Sequence, residues 1–139
     1  MATGTPSWEE LCRQVPDELR PYLVELDWNR ERLWRLKFPV EEMSVAALAW
    51  QLALPWWRDG ERYFSVCPLD VLTIPNPHRE HFERTMDADL AYALDVTLRS
   101  GSWVVLDGVH RLLKAVALGE PTVRVRKLPA EALPLIAAA

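Results

Sequence analysis

Trp103-Val104-Val105-Leu106-Asp107-Gly108-Val109-His110-Arg111-Leu112-Leu113-Lys114-Ala115-Val116-Ala117-Leu118-Gly119 is the stretch from which the fold is read. Its first four residues form an apolar run too short for a helix and rich in β-branched side chains, which predicts a buried strand. Asp107-Gly108 turns the chain. From Val109 to Leu118 the apolar positions follow a helical spacing, and Gly119 stands where a left-handed residue closes a helix. Immediately upstream, Leu94, Val96 and Leu98 alternate with polar residues and Ser100-Gly101 makes a turn, so a β-hairpin leads into the helix. Downstream, Val123 and Val125 alternate with Arg124 and Arg126 in a last strand, whose arginines read as a solvated face. Hairpin, helix and strand in that order predict an α+β module.

The turn carries the chemistry. Gly108 admits a close backbone approach, and the helix that begins there offers unpaired N–H groups and the positive end of its dipole. That combination favours an anion, phosphate above all. His110 and Arg111 add two donors in the first turn, Arg111 being able to fork onto phosphate oxygens, and Lys114 extends the positive field. Read as structure alone, Asp-Gly is a common turn and Arg111 a salt-bridge partner. Cations at a helix N-terminus are nevertheless unfavourable unless an anion is supplied, so two of them ask for a partner.

Residues 1–60 read as a helical N-terminal layer packed on a module over 61–139. Ser7 and Glu10 make a capping box ahead of Trp8, Leu11, Cys12 and Val15. Leu19, Tyr22, Leu23 and Leu26 repeat the helical spacing, and Asp27 is read as the cap of a third helix through Trp34. Ser44 caps a helix carrying Val45, Leu48, Ala49 and Leu52, with Pro55 as its stop. After Asp59-Gly60 the pattern changes. Tyr63 to Val66 and Leu69 to Ile74 read as extended segments, and Asn76-Pro77 opens a helix from His78 to Met86.

The 139 residues, half of them hydrophobic and seven of them Trp, suffice for one core. A net charge of −4 argues against a broad nucleic-acid surface, though not against a local basic pocket. Cys12 and Cys67, isolated and without CxxC spacing, fit a reducing cytoplasm. Met1 to Pro6 shows neither the basic nor the apolar region of a leader, and Val45 to Trp57, interrupted by Gln51 and Pro55, is too short to span a bilayer. A soluble, cytoplasmic protein is expected, either monomeric or joined to a second copy or a protein partner through the Trp-rich layer.

Val104-Val105-Leu106-Asp107-Gly108-Val109-His110-Arg111, with the helix ending in Leu118-Gly119 and the strand Val123-Arg124-Val125, resembles the ParB/sulfiredoxin superfamily. Cys67-Pro68-Leu69-Asp70-Val71-Leu72 is similar to that family's opening strand, so the likeness runs over about residues 62 to 133 and implies an α+β fold with a small mixed sheet and helices, preceded here by the helical N-terminal layer. Its Asp-Gly-x-His-Arg turn is closest to the free-serine-kinase type. The resemblance implies a nucleoside di- or triphosphate with Mg²⁺ as cofactors, held by Gly108, Val109, His110 and Arg111, with Asp107 orienting His110 or helping to hold the metal. A small hydroxylated metabolite would then accept phosphate. Two departures narrow it. Val109 stands where sulfiredoxin needs its catalytic Cys, and the chain ends at Ala139 without the DNA reader of the partition proteins.

Glu80 is the candidate general base, able to take a proton from an attacking hydroxyl beside His110. As structure it is a helical Glu pairing with Arg84. Arg84 and His78 are candidate ligand contacts. His78 and His81, three apart, lack a third ligand and read as no dedicated metal site. The tryptophans read as packing, with Trp56-Trp57 the one pair placed to line a base or a partner. Two functions remain: a Mg²⁺-dependent kinase or nucleotidase, or a non-catalytic nucleotide-responsive or protein-binding module. Whether Glu80 lies beside His110 or in solvent discriminates them.

Overall fold

The computed structural model describes residues 6–138. Residues 1–5, which carry most of the expectation about a leader, and the last alanine lie outside the described residues.

A four-stranded mixed sheet with the order β1-β6-β4-β5 organises the chain. Its strands are β1 (Val40–Ser44), β4 (Leu94–Arg99), β5 (Ser102–Asp107) and β6 (Thr122–Leu128). The hairpin β4–β5 turns at Ser100 and Gly101, both at positive φ. Helix α5 (Val109–Leu118) then crosses back, and β6 lies parallel to β4. β6 thus joins on the far side of β4 from β5, and α5 carries the chain across β4 to reach it. The α+β architecture with a small mixed sheet is therefore as the sequence predicts. A separate hairpin joins β2 (Trp57–Asp59) to β3 (Arg62–Val66).

Several local expectations are corrected. Residues 40–44 pair antiparallel with β6, so the first sixty residues are not helical throughout; one strand of the main sheet comes from them. Ser44 does act as a cap, accepting from the amide of Ala46 at 3.2 Å, but Val45–Ala47 and Ala49–Ala53 are 3-10 turns rather than one α-helix. Leu69 to Ile74 is not extended. Pro68–Thr73 forms α3, with Pro in the first turn, where its missing N–H costs nothing. The Asp27 cap is also displaced: Asn29 caps α2 (Arg30–Arg35) by accepting from the amide of Arg32 at 3.0 Å. The Ser7 cap of α1 (Trp8–Gln14) is as expected, with Glu10 donating its amide at 3.2 Å.

The free edge of β5 is covered by one side chain. Gln51, fully buried, donates to the carbonyl of Trp103 at 3.1 Å and accepts from the amide of Val105 at 2.9 Å. It thereby acts as a short strand on an edge that would otherwise stay unpaired. One core cluster packs Val96, Val105, Val125, Leu112 and Leu113 under Leu48 and Leu52. A second joins Leu33 of α2 to Leu128, Leu133 and Ile136. The C-terminal turn, Ala130–Ile136, is stitched to the N-terminal layer by Asn29 N–H to Ile136 O at 2.7 Å.

Arg126 is not a solvated strand residue. Its Nε donates to Asp95 at 2.6 Å, while its two terminal nitrogens donate to the carbonyls of Leu36 and Leu33 at the end of α2. This fork ties the N-terminal layer to the sheet and satisfies a carboxylate that is only 3% exposed. Burial still holds the Asp95 carboxyl above the usual carboxylate range, against the opposing effect of Arg126.

Candidate functional site

Gly108 occupies the left-handed region at φ +115°, and a Cβ there would stand 2.9 Å from Leu94 Cγ. Both the turn and the close approach therefore require glycine. The helix after it begins with no side-chain cap, so the first-turn amides of α5 remain available. They open on a cleft of about 500 Å³ lined by Arg30, Arg58, Arg84, Arg111, His81 and His110 among others. Among the described residues Asp107 is the one carboxylate in that lining.

Four arginines against one carboxylate is a local charge opposite to the chain's net −4. Asp107 is moreover occupied. Trp34 Nε1 donates to its Oδ2 at 2.8 Å, Arg111 lies 3.7 Å from the same oxygen, and Arg30 lies 3.6 Å from Oδ1. Arg111, the expected phosphate fork, also donates Nη1 to the carbonyl of Ala93 at 2.6 Å. It acts in part as a pin between α5 and the sheet. Lys114 does not extend the field of the cleft: its ammonium caps α4 (Arg79–Asp87), donating to the carbonyls of Met86 and Ala88 at 2.7 Å each. Arg84, exposed on α4, makes no ion pair or hydrogen bond with another side chain or carbonyl among the described residues.

His110 is drawn into an aromatic cluster. Its ring stacks on Trp57 with centroids 4.2 Å apart, and His81 stacks on Trp57 at 4.4 Å. The two imidazole centroids are 5.4 Å apart. Rings on opposite faces of an indole would stand about 7 Å apart, so both lie over the same face. They touch edge to edge, His81 Nδ1 to His110 Nε2 at 3.2 Å, and His81 Nε2 meets the carbonyl of Arg58 at 2.9 Å. A carbonyl only accepts, which puts a proton on His81 Nε2. In the neutral pair His81 Nδ1 accepts in turn, so His110 donates from Nε2 and is left with a lone pair on Nδ1. Burial first, then the charges of Arg84, His81, Arg30 and Arg111, push the His110 pKa down to about 3. His110 is therefore neutral at pH 7, and its Nε2 is turned to His81 rather than presented to the cleft.

The remaining expected residues fall in two groups. Gly108, Val109, His110, Arg111, Asp107 and Arg84 meet at the cleft. Glu80 and His78 are not among its lining residues, and Glu80 is exposed on α4. The Glu80–Arg84 pair is replaced by Arg79–Glu83 at 4.0 Å. His81 enters the site instead of His78, because the side of α4 that carries Thr85 faces the core and His81 lies one turn before it. Arg30, Arg58 and Tyr63 escape a sequence reading. They come from a short helix and a hairpin that no local pattern links to Gly108. Among the described residues no group of three His, Cys, Asp or Glu is placed to hold a metal ion.

No family model matches the chain, and no curated protein matches it. Among solved structures, sulfiredoxin from Arabidopsis thaliana matches at 21% identity, covering 69% of this chain and 93% of that one, with a TM-score of 0.34. At that level the family stays a reading from the motif. No helix of the described residues is long and apolar enough to cross a membrane.

Proposed function

We propose that the cleft at the head of α5 binds the phosphate groups of a small metabolite, a nucleoside di- or triphosphate being the first class to test. The observation that carries this is that Arg30, Arg58, Arg84 and Arg111 line one cleft together with the head of α5, which no side chain caps, and that the single carboxylate of that lining is already partnered. Such an arrangement has the charge and the donors of an anion site. A Mg²⁺ ion would arrive with the phosphates, Asp107 being the carboxylate nearest to hand.

Binding is favoured over phosphotransfer. A kinase needs a carboxylate free to accept a proton from the acceptor hydroxyl. Glu80 lies outside the cleft, and Asp107 accepts from Trp34 on Oδ2 with the Arg30 guanidinium 3.6 Å from Oδ1. The reading is thus a nucleotide-responsive binding module, with a soluble cytoplasmic setting and a docking role for the N-terminal layer kept as part of the proposal.

The test is calorimetric titration of the full chain with pyrophosphate, ADP, ATP and CTP, with and without Mg²⁺. Binding raises apparent stability by about 2.7 kcal/mol at a hundred times the dissociation constant, so thermal shifts give a second readout. Arg84→Ala is the sharper variant, since Arg111→Ala also removes the bond to Ala93. Absence of binding by any of these anions would sink the reading. Measurable turnover of ATP to a phosphorylated acceptor would replace it with the kinase.

A further inference from the structure

Next to the arginine cleft lies a second cavity, of about 400 Å³, between the N-terminal layer and the sheet. Its walls include Trp8, Leu11, Trp28, Phe64 and Val104, and the only charged residues in its lining, among those described, are Asp27 and Arg30. The two cavities share Arg30, Trp56, Trp57, Leu106 and Val109 as their common boundary. We propose that the ligand is an amphiphile: its phosphorylated end lies against the arginines, and its hydrocarbon tail enters this apolar chamber. The proposal rests on the phosphate reading for the head group and, for the rest of the molecule, puts a hydrocarbon in place of the nucleoside.

Three observations carry it. First, size and lining. A chamber of this volume falls in the range of small-molecule pockets, roughly 300 to 1,000 Å³, which are mostly apolar with a few polar groups at one end. Here the polar end is the arginine boundary. Second, hydrogen bonding. The indole N–H of Trp56, a residue of the shared wall, is spent on the carbonyl of Gln51 at 2.8 Å. The lining is mainly carbon, so a hydrocarbon tail loses no hydrogen bond on entering, whereas a nucleobase would have to find its partners among Tyr22, Asp27 and the remaining indoles. Third, Phe64 is held at φ +54°, a conformation that bulky residues adopt only under constraint. Phe64 lines the chamber, so the constrained backbone lies where the chamber is built.

The experiment compares inorganic phosphate, pyrophosphate, ADP and a series of n-alkyl monophosphates from butyl to octyl, below their micelle concentrations, by calorimetry on the full chain. Affinity should rise by about fourfold per added methylene, the factor that corresponds to burying one CH₂. Octyl phosphate should also protect Cys12, which lines the chamber, from thiol alkylation in a Cys67→Ala background. Phe64→Ala should flatten the chain-length dependence while leaving pyrophosphate affinity unchanged. Arg84→Ala should weaken every member of the series by the same factor. If pyrophosphate binds and octyl phosphate gains nothing over inorganic phosphate, the tail proposal is overturned and the phosphate site stands. ADP gaining over pyrophosphate at least as much as octyl phosphate gains over inorganic phosphate would overturn the tail and assign the chamber to a base instead. If no anion binds, both readings fall.

Discussion

Arginine is used in opposite ways on β6 and at the head of α5. At the Asp95–Arg126 pair every arm of the guanidinium is spent, on Asp95, Leu33 and Leu36, and the group holds α2 to the sheet. At the cleft, Arg30 and Arg84 remain exposed, and the carboxylate of Asp107 accepts from Trp34 with the guanidinium groups of Arg30 and Arg111 at ion-pair distance. Satisfied donors make structure; donors left over in a concave, positively charged site make a demand for an anion. Arg111 stands between the two cases, pinned to Ala93 and still lining the cleft.

The comparison can be broken most severely at its structural end. Arg126→Ala leaves the Asp95 carboxylate buried without its partner, and a loss of about 3 to 5 kcal/mol is expected in denaturant unfolding. Adding Asp95→Asn should recover part of it, since the remaining group is neutral. No recovery would show that the bonds to Leu33 and Leu36 dominate.

Acidification probes the other end. His110 titrates near 6.5 when unfolded and at about 3 when folded, so the unfolded chain takes up a proton that the native state refuses. Stability contributed by neutral His110 is complete above pH 6.5 and falls as pH drops towards 3. The total is expected at about 2 to 4 kcal/mol once partial solvation is allowed for. Chemical denaturation at pH 7 and pH 4 checks it, with His110→Asn expected to lose most of that slope. A saturating anion in the cleft should shift the titration of His110 upward in NMR.

Gly108→Ala meets both a positive φ and the Leu94 side chain, and a loss of about 1 to 3 kcal/mol is expected by thermal unfolding. Arg84→Ala should be the quietest change in stability, within about 0.5 kcal/mol. Its effect belongs to binding, with pyrophosphate affinity expected to fall about tenfold, as for one lost charge-assisted contact. A stability loss as large as that of Arg126→Ala would erase the distinction between the two kinds of arginine.

Local pattern made β4, β5, α5 and β6 legible, because each is specified by its own period and closed by its own turn: Ser100-Gly101, Asp107-Gly108 and Gly119. The same logic misled at residues 40–54 and 68–73. Val45 to Leu52 has helical spacing, yet Gln51 is required by the edge of β5, and Met43 faces the core as part of a strand on β6. Short apolar runs are ambiguous until a partner chooses for them.

By itself, then, the sequence determined the strand-turn-helix at Gly108 and the hairpin and strand on either side of it, since backbone sterics and hydrophobic period act within a few residues. Tertiary structure decided the rest. It withdrew Glu80 and His78 from the cleft, brought in Arg30, Arg58 and His81, turned the His110 proton inward over Trp57, and built the apolar chamber beside them. Those outcomes depend on desolvation and on contacts between segments far apart in the chain, and neither leaves a local mark in the sequence.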